Sequence, residues 1–313
     1  MNILLLGQLE PSEREAWMAE LALALPQDRV VQGMQEVAAD SVEVALVANP
    51  APGQLSGLPR LRLIQSLWAG VDRLLLDHTL PMDVPLARMV DPAMTRAMAE
   101  TALWAVLSLH RGFFGYARHQ RNRLWLELPQ RRADELTVVV LGFGEMGRAC
   151  AQRLAGSGYR VSAWSRGEGP TDRAGVIIRS GRDALPGLLA QAQVLVNLLP
   201  LTPDTRGLLN ADLFASLPQG AAVVNLARGA HVVDADLLTA LDSQHLSHAV
   251  LDVFPIEPLP SDHRYWCHPQ VTVLPHAAAL TDPHSAAAVV AANIRALKRG
   301  EPLAHRVDRQ RGY

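Results

Sequence analysis

Cysteine and lysine are almost absent from this chain of 313 residues. The two cysteines, Cys150 and Cys267, are too few for a disulfide framework or for a tetrahedral metal site built of thiolates. They favour a reducing compartment, so we predict a cytoplasmic location. Lys298 is the only lysine among the 29 basic residues. A Schiff base needs a lysine side chain, and this one lies in the last predicted helix, which looks solvated. Schiff-base chemistry is therefore nearly excluded.

Long apolar runs and an excess of charge are missing as well. No segment approaches the roughly 18 consecutive apolar residues that a membrane-spanning helix needs, and the opening residues lack the basic flank of a signal peptide. The formal net charge is −2, from 29 basic and 31 acidic residues, so no basic field is present to hold a nucleic acid. We therefore expect neither a membrane nor a nucleic acid as a partner, and we expect no metal.

Apolar residues make up 49% of the chain, and its length lies near the limit at which chains divide into domains. We predict one domain from residues 1–98 with 283–313 and a second from residues 99–282. In the first domain, apolar strands alternate with a helix, which is typical of a small parallel sheet. The predicted elements are strands at Asn2–Leu6, Val42–Val47 and Arg62–Gln65 and helices at Pro11–Leu25 and Pro283–Arg299.

A second series of strands and helices follows a long apolar helix at Thr95–His110. It begins with the continuous apolar run Leu136–Leu141, which is typical of a central parallel strand covered on both faces. Helical patterns separate the later strands, so we predict a doubly wound α/β sheet. These strands are Arg160–Trp164, Val194–Leu198, Ala222–Asn225, Ala249–Asp252 and Val271–Leu274.

Three glycines, Gly142, Gly144 and Gly147, stand directly after the first strand of this series and at the start of a helix. The spacing G-x-G-x-x-G is weak evidence alone, but the order strand, turn, helix, strand gives it meaning. The first glycine permits the tight turn, the second permits a close approach of the pyrophosphate, and the third permits helix and strand to pack. The motif predicts a dinucleotide at the helix N-terminus.

The end of the next strand distinguishes the two nicotinamide cofactors. A carboxylate about 20 residues after the glycines normally binds the ribose 2′-hydroxyl, but Ser165 and Arg166 stand here instead. A hydroxyl and a guanidinium suit a 2′-phosphate, so we predict NADPH, with NADH possible. The alternative is that Arg166 is a solvated surface residue and that Glu168 or Asp172 reaches the ribose.

Polar residues follow three more strands, at the edge where ligands of open α/β sheets collect. The segments are Asn225–Gly229, Leu251–Pro258 and His268–His276. With these motifs the chain resembles the D-isomer-specific 2-hydroxyacid dehydrogenases, and among them the bacterial glyoxylate/hydroxypyruvate reductases of the A type. The resemblance covers nearly the whole chain. The matching motifs stand in the family's order: the three glycines, Asn197–Pro200 with Thr202 and Thr205, Asn225–Gly229, Asp252–Phe254 with Glu257 and Pro258, and Pro275 with His276.

The resemblance implies a flavodoxin-like substrate domain and an NAD(P)-binding Rossmann domain, with substrate between them. It assigns catalysis to Arg228, Glu257 and His276, and their chemistry agrees. A guanidinium binds a carboxylate and a carbonyl, an imidazole titrates near neutrality and can act as general acid, and Glu257 would orient and charge that imidazole. The alternative is that the histidine and the glutamate are ordinary loop residues.

The same resemblance places the substrate carboxylate at the backbone of a loop formed by Trp68, Ala69, Gly70 and Val71. The bulk of Trp68 would favour a small keto acid, unless it is an ordinary core aromatic. The positions implied for cofactor binding are Gly142, Gly144, Glu145, Met146, Gly147, Ser165, Arg166, Leu199, Pro200, Thr205, Leu226, Ala227 and Asp252. The alternative for Asp252 is that it only holds the loop or helps to position His276.

We therefore expect NADPH-dependent reduction of glyoxylate to glycolate and of hydroxypyruvate to D-glycerate, with His276 as general acid. The long apolar helix and the family's habits indicate a homodimer. Two alternatives stay open. The chain could be a dinucleotide-sensing regulatory protein without catalysis, because fold alone does not fix function, or it could reduce a larger 2-keto acid.

Overall fold

The computed structural model describes residues 1–167 and 172–313, with the backbone alone described at 172 and 173. The chain forms two compact units. Unit 1 consists of Met1–Met94 with Thr281–Tyr313, and unit 2 consists of Thr95–Leu280. The limits between the two units thus fall at 94/95 and 280/281, and the limits predicted from the sequence are 98/99 and 282/283.

In chain order, the strands and helices of the described residues are β1 Asn2–Gly7, α1 Pro11–Ala24, β2 Arg29–Val31, β3 Val42–Ala48, β4 Leu63–Ser66, β5 Leu86–Ala87, α2 Pro92–His110, α3 Phe113–Arg121, β6 Thr137–Leu141, α4 Glu145–Gly156, β7 Arg160–Ser165, β8 Asp172–Arg173, β9 Val176–Ser180, α5 Leu185–Leu189, β10 Val194–Asn197, α6 Ala211–Ala215, β11 Ala221–Asn225, α7 Asp234–Asp242, β12 Leu246–Leu251, β13 Val271–Val273 and α8 Pro283–Arg299.

Unit 1 contains a parallel sheet in the order β2-β1-β3-β4-β5. Buried apolar side chains such as Leu4, Val47 and Ile64 form its core. The sequence missed β2 and β5, which have three and two residues, because such short strands show no alternation of apolar and polar residues. Helix α8 packs against α1, where the Arg295 guanidinium donates to the carbonyl of Ala24 at 2.8 Å.

The carboxylate of Asp28 in unit 1 forms ion pairs with two cationic groups. Lys298 Nζ lies 2.6 Å from Asp28 Oδ2, and the Met1 amine lies 2.9 Å from Oδ1. Burial disfavours the charge on Asp28, but the hydrogen bonds from Lys298 and Met1 outweigh burial and hold the pKa of this carboxyl below its ordinary value. The cluster joins the end of α8 to the loop that follows α1.

Unit 2 contains a sheet in the order β13-β12-β11-β10-β6-β7-β9-β8. All of its pairs are parallel except the edge pair of β8 with β9. In β6, Val138 and Val140 belong to one apolar cluster, whereas Val139 and Leu141 belong to another. The central strand is therefore buried on both faces, and the predicted α/β fold with parallel sheets is confirmed.

Strand β9 was missed by the sequence analysis. Val176 and Ile178 are buried, whereas Ile177 between them is 44% exposed. Burial alternates along this strand near the sheet edge, but its sequence Val-Ile-Ile-Arg-Ser does not alternate between apolar and polar residues, so it shows no strand pattern. Among the described residues, no helix has both the length and the apolar character needed to cross a bilayer.

Candidate active site

A glycine turn joins β6 to α4 at the point where the sheet order reverses direction along the chain. Gly142 has φ +100°, and a Cβ there would lie 2.8 Å from the carbonyl oxygen of Leu198. A Cβ on Gly147 would lie 2.0 Å from the carbonyl oxygen of Gly142. Neither position tolerates a side chain, so the turn holds the start of α4 against the neighbouring strand.

The N-terminus of α4 leaves space for a ligand. Gly144 is the N-cap without a side-chain cap, and a Cβ built on it meets nothing within 4 Å. Glu145 is the exposed first residue of α4, and Met146 packs partly against the apolar core. Amide groups of a first helical turn attract a phosphate. The residues present therefore fit the pyrophosphate of a dinucleotide.

A group of charged side chains lies at the end of β7. Arg166 Nη1 is 3.3 Å from Asp204 Oδ2, and Arg182 Nη2 is 3.9 Å from Asp204 Oδ1. Ser165 Oγ donates to the carbonyl of Gly167 at 2.8 Å. Two guanidinium groups thus lie near one carboxylate, and guanidinium groups are common partners of phosphate and carboxylate anions. The sequence analysis missed Arg182 and Asp204; the ends of β9 and β10 are the signal that could have found them.

The carboxylates considered as alternatives to Arg166 are Glu168 and Asp172. Glu168 lies outside the described residues, and the structure does not describe the side chain of Asp172. The choice between a ribose 2′-hydroxyl and a 2′-phosphate therefore depends on Ser165, Arg166 and the neighbours just named.

Two buried asparagines join the ends of β10 and β11. Asn197 Nδ2 donates to Asn225 Oδ1 at 3.0 Å. Asn197 Oδ1 accepts the amide of Leu199 at 3.3 Å, and Asn225 Oδ1 accepts the amide of Ala227 at the same distance. Both asparagines are fully buried, where an unpaired amide would be costly. The pair therefore fixes the two loops that leave the sheet at this edge.

The remaining residues implied for cofactor binding lie on these two loops. Leu199, Leu226 and Ala227 are buried and Pro200 is partly buried. The hydroxyl of Thr205 donates to the carbonyl of Pro200 at 2.8 Å, which closes the loop after β10 into a turn.

Arg228 follows β11, and its neighbour Gly229 permits a close contact. A Cβ on Gly229 would lie 1.9 Å from the carbonyl carbon of Phe254, so only glycine lets the loop after β11 touch the loop after β12. The guanidinium of Arg228 donates to the carbonyl of Ala227 at 2.7 Å. Its charge contributes to the lowered pKa of Glu257 and opposes the rise in the pKa of His276, so all three groups lie in one electrostatic neighbourhood.

His276 and Glu257 form the centre of this group. His276 Nδ1 lies 2.8 Å from Glu257 Oε2, and Glu257 Oε1 accepts the amide of Phe254 at 2.9 Å. The hydrogen bond to Glu257 raises the pKa of His276 against the effect of burial. Burial opposes the charge on Glu257, but the bonds from His276 and Phe254 outweigh it and lower the pKa of that carboxyl. The bond to Glu257 therefore favours the charged form of the imidazole and occupies Nδ1.

Asp252 fixes the backbone of the His276 loop. Its carboxylate accepts the amides of Ala277 at 2.7 Å and Ala278 at 3.1 Å, and its carbonyl accepts the amide of His276 at 2.8 Å. His276 itself has φ +54°, a left-handed conformation that is unusual for a histidine. Burial raises the pKa of Asp252, although the hydrogen bonds from the amides of Ala277 and Ala278 act to lower it. The carboxylate is thus bonded to the loop, and its implied contact with cofactor stays a prediction.

The predicted substrate loop lies in unit 1, after β4. Ser66 Oγ donates to the carbonyl of Trp68 at 2.9 Å and accepts its amide at 3.1 Å. Trp68, Ala69 and Gly70 are partly exposed, and Val71 is buried. Trp68 is therefore no fully buried core aromatic, and the loop has a defined conformation.

Metal ligation is a separate question for a site rich in histidine and carboxylate. Within residues 1–167 and 172–313, no three or more His, Cys, Asp and Glu side chains are arranged to hold a metal ion.

Comparisons with known proteins find similar sequences and similar structures. The family model described as "D-isomer specific 2-hydroxyacid dehydrogenase, NAD binding domain" matches residues 103–278. A protein of Serratia proteamaculans named glyoxylate/hydroxypyruvate reductase A is 42% identical over 304 residues, which cover 96% of each chain.

Two solved structures are similar over nearly the full length of both chains. A D-isomer specific 2-hydroxyacid dehydrogenase of Xanthobacter autotrophicus, in complex with NADPH and MES, has TM-score 0.95 and 39% identity, covering 100% of this chain and 99% of the other. An NADPH-dependent glyoxylate/hydroxypyruvate reductase of Sinorhizobium meliloti, in complex with NADP and sulfate, has TM-score 0.92 and 36% identity with the same coverage.

Proposed function

Because this chain belongs to the D-isomer-specific 2-hydroxyacid dehydrogenase family, an NAD(P)-dependent group of oxidoreductases, we propose that it reduces small 2-keto acids with NADPH. The substrates would be glyoxylate, giving glycolate, and hydroxypyruvate, giving D-glycerate. Relatives at 38 to 42% identity that carry the name glyoxylate/hydroxypyruvate reductase A support this choice. Unit 2 contains the residues that match the NAD-binding domain, and unit 1 would be the substrate domain.

The observation that carries the proposal is the bonded pair of His276 and Glu257 beside the charge of Arg228. When bound, the reduced nicotinamide supplies a hydride to C2 of the keto acid. Arg228 binds the carboxylate and the carbonyl oxygen, because a guanidinium offers a planar charged fork. His276 then donates a proton to the oxygen as it gains electrons.

The proton donor would be Nε2 of His276. Nδ1 is occupied by Glu257 at 2.8 Å, so Nε2 is the ring nitrogen left to face a substrate. Glu257 keeps the ring oriented and favours its protonated form before transfer. After transfer the neutral imidazole still keeps a proton at Nδ1 toward the carboxylate.

NADPH is preferred in this proposal because the ribose end carries arginine and serine at Arg166 and Ser165. Arg182 lies beside the same carboxylate as Arg166, which adds positive charge at this place. A 2′-phosphate gains charge-assisted hydrogen bonds here, whereas a 2′-hydroxyl gains much less. The NADPH and NADP complexes of similar structures support the choice.

For substrate selection we propose the loop of Trp68, Ala69, Gly70 and Val71. Its backbone amides would bind the substrate carboxylate, and the partly exposed ring of Trp68 would limit the side chain of the keto acid. If Trp68 does not limit the pocket, larger keto acids such as phenylpyruvate would react equally well.

We also propose a homodimer in the cytoplasm. Large apolar side chains are exposed along residues 104–126 of unit 2, and a second copy of the chain would cover them. They are Trp104, Leu107, Phe113, Leu124, Trp125 and Leu126, with Trp125 99% exposed. Light scattering would give the mass in solution, and Trp125→Glu should shift a dimer toward monomer. Cell fractionation would test the location.

The test of function is the initial rate of NADPH oxidation, with NADH in parallel, against glyoxylate, hydroxypyruvate, pyruvate and phenylpyruvate. Fast turnover of the two first substrates with NADPH would support the reaction, the cofactor and the small pocket together. Faster turnover of phenylpyruvate would move the substrate to the larger class. Tight NADPH binding without turnover of any of the four would instead favour a regulatory dinucleotide sensor.

A further inference from the structure

His231 is fully buried and lies near the reacting groups. The proposed reaction gives this histidine no role. It ends the short helical turn Gly229–His231 that follows Arg228. Its ring lies between two backbone carbonyls. Nδ1 is 3.1 Å from the carbonyl oxygen of Arg228, and Nε2 is 3.3 Å from that of Pro200. The ring thus joins the loop after β10 to the loop after β11.

These contacts complete a closed circuit of hydrogen bonds. Asn225 Nδ2 also donates to the carbonyl of Arg228, at 3.0 Å, and Asn225 is bonded to Asn197, which accepts the amide of Leu199 next to Pro200. We call the side chains of Asn197, Asn225 and His231 the polar circuit. Its three members are fully buried, where each hydrogen bond is stronger than in water.

Two members of the polar circuit, Asn225 and His231, contact the backbone of Arg228. The carbonyl of Arg228 is fixed from two directions, by Asn225 and by His231. A guanidinium that binds a carboxylate in two places requires a defined backbone origin, since a small displacement breaks the paired geometry. We infer that His231 is a positioning residue, which holds Arg228 in place for the substrate carboxylate by bonding it to the Pro200 loop. This inference rests on the proposed function of Arg228.

The chemistry of the ring defines which substitutions separate this role from simple packing. Each ring nitrogen donates to its carbonyl only when it carries a proton, so a neutral ring makes one of the two bonds and a charged ring makes both, whereas phenylalanine fills a similar volume and donates to neither. A glutamine amide carries two N–H groups, so it can replace donors without replacing the ring. His231→Phe therefore removes the hydrogen bonds and keeps the ring volume, whereas His231→Gln supplies N–H donors without the ring.

His248 offers a matched control, because it is another buried histidine of unit 2. Its ring stacks on Phe114 at 4.5 Å and bonds to Thr272 Oγ1 at 2.9 Å, outside the polar circuit. His248→Phe removes a buried imidazole without touching Arg228, so it measures the general cost of this substitution.

The experiment measures kcat and KM for glyoxylate, the Kd of oxalate on the NADP-loaded protein and the Kd of NADPH, with the melting temperature of each variant. We expect His231→Phe to raise the glyoxylate KM and the oxalate Kd about tenfold, the size of one to two lost hydrogen bonds, with kcat and NADPH binding within about threefold. His231→Gln should recover most of the loss, and His248→Phe should leave KM and oxalate binding unchanged.

The inference is overturned if His231→Phe changes only the melting temperature, as His248→Phe would, or if His231→Gln recovers none of the loss. Arg228→Ala distinguishes a failure of the positioning role of His231 from a failure of the proposed role of Arg228. If it abolishes oxalate binding while His231→Phe does not weaken it, the positioning role is wrong and the proposed function stands. If Arg228→Ala leaves oxalate binding intact, the role of Arg228 itself is wrong. Should the phenylalanine variant not fold, His231→Asn, whose shorter amide reaches at most one carbonyl, gives the same comparison.

Discussion

Charged groups at the two ends of the proposed dinucleotide site differ in how firmly their surroundings hold them. At the end that carries Arg228, Glu257 and His276, each charged group stands on a loop fixed by buried contacts, such as those of Asp252 and Gly229. At the proposed ribose end, Arg166 and Asp204 are about half exposed, as is His276, so exposure does not separate the two ends. An exposed pair such as Arg166 with Asp204 contributes little stability of its own and is easily rearranged, whereas the buried carboxylate of Asp252 holds the backbone next to His276. The reacting end is therefore sensitive to small changes, whereas the ribose end can change its cofactor preference by single substitutions.

The largest effect should come from His276→Ala. Loss of the proton donor should lower kcat by about 10²- to 10⁴-fold, while the Kd of NADPH, followed by fluorescence titration, stays near the wild-type value. His284→Ala is the matched control, since His284 also pairs with a glutamate, Glu20, at 3.2 Å in unit 1. Turnover within a few fold of wild type in His276→Ala would refute the role of general acid.

Glu257→Gln should have the next largest effect. Reduction needs the protonated imidazole, and Glu257 raises the pKa of His276, so activity is kept to higher pH than an ordinary histidine would allow. As the pH rises, the activity of the variant should therefore begin to fall at a lower pH than that of the wild type. At neutral pH its kcat should be lower by about tenfold or more. A pH profile of kcat checks this. Glu20→Gln should leave the profile unchanged; an unshifted profile in Glu257→Gln would contradict the coupling.

At the ribose end, Arg166→Ala should raise the KM for NADPH about tenfold and leave the KM for NADH within about twofold, because one charge-assisted contact to the 2′-phosphate is lost. Arg153→Ala, an exposed arginine on α4, is the control. Steady-state kinetics with both cofactors gives the ratio. If the two KM values rise equally, Arg166 does not read the 2′ position.

The smallest effect is expected for Asp204→Asn. The carboxylate of Asp204 lies 3.3 Å from Arg166, so it competes with a phosphate for that guanidinium. Its removal should lower the KM for NADPH by about two- to fivefold, the range of an exposed ion pair, without changing the KM for NADH. Asp212→Asn on α6 is the control. A higher KM for NADPH would show that Asp204 instead holds Arg166 in place.

The same contrast explains what the sequence could predict. The glycine turn and the apolar run of β6 are local patterns, so the nucleotide-binding fold followed from them, and the fold is confirmed. The bond between Asn197 and Asn225 joins residues 28 positions apart, and nothing in either segment specifies it. The convergence of Arg166 and Arg182 on Asp204 depends likewise on neighbouring strands. Arg182 follows the end of β9, which was missed because its residues do not alternate between apolar and polar.

The assignments of Arg228, Glu257 and His276 came from ordered motifs and stay predictions. The structure adds the 2.8 Å bond between His276 and Glu257, whereas sequence could suggest only that the two segments meet at one sheet edge. It could not show that Asp252 binds the amides of Ala277 and Ala278, because a carboxylate after a strand is equally suited to ligand binding.

The pairing of Lys298 with Asp28 has a practical consequence for labelling. Because Lys298 is the only lysine, a reagent that couples to primary amines has one side chain to mark, in the last turn of α8, besides the Met1 amine that shares Asp28. Attack requires access to the amine, and the Asp28 carboxylate 2.6 Å away covers part of it, so coupling there should be slower than at an unpaired lysine. A dye or surface attached in this way would report from unit 1, to which both Met1 and Lys298 belong.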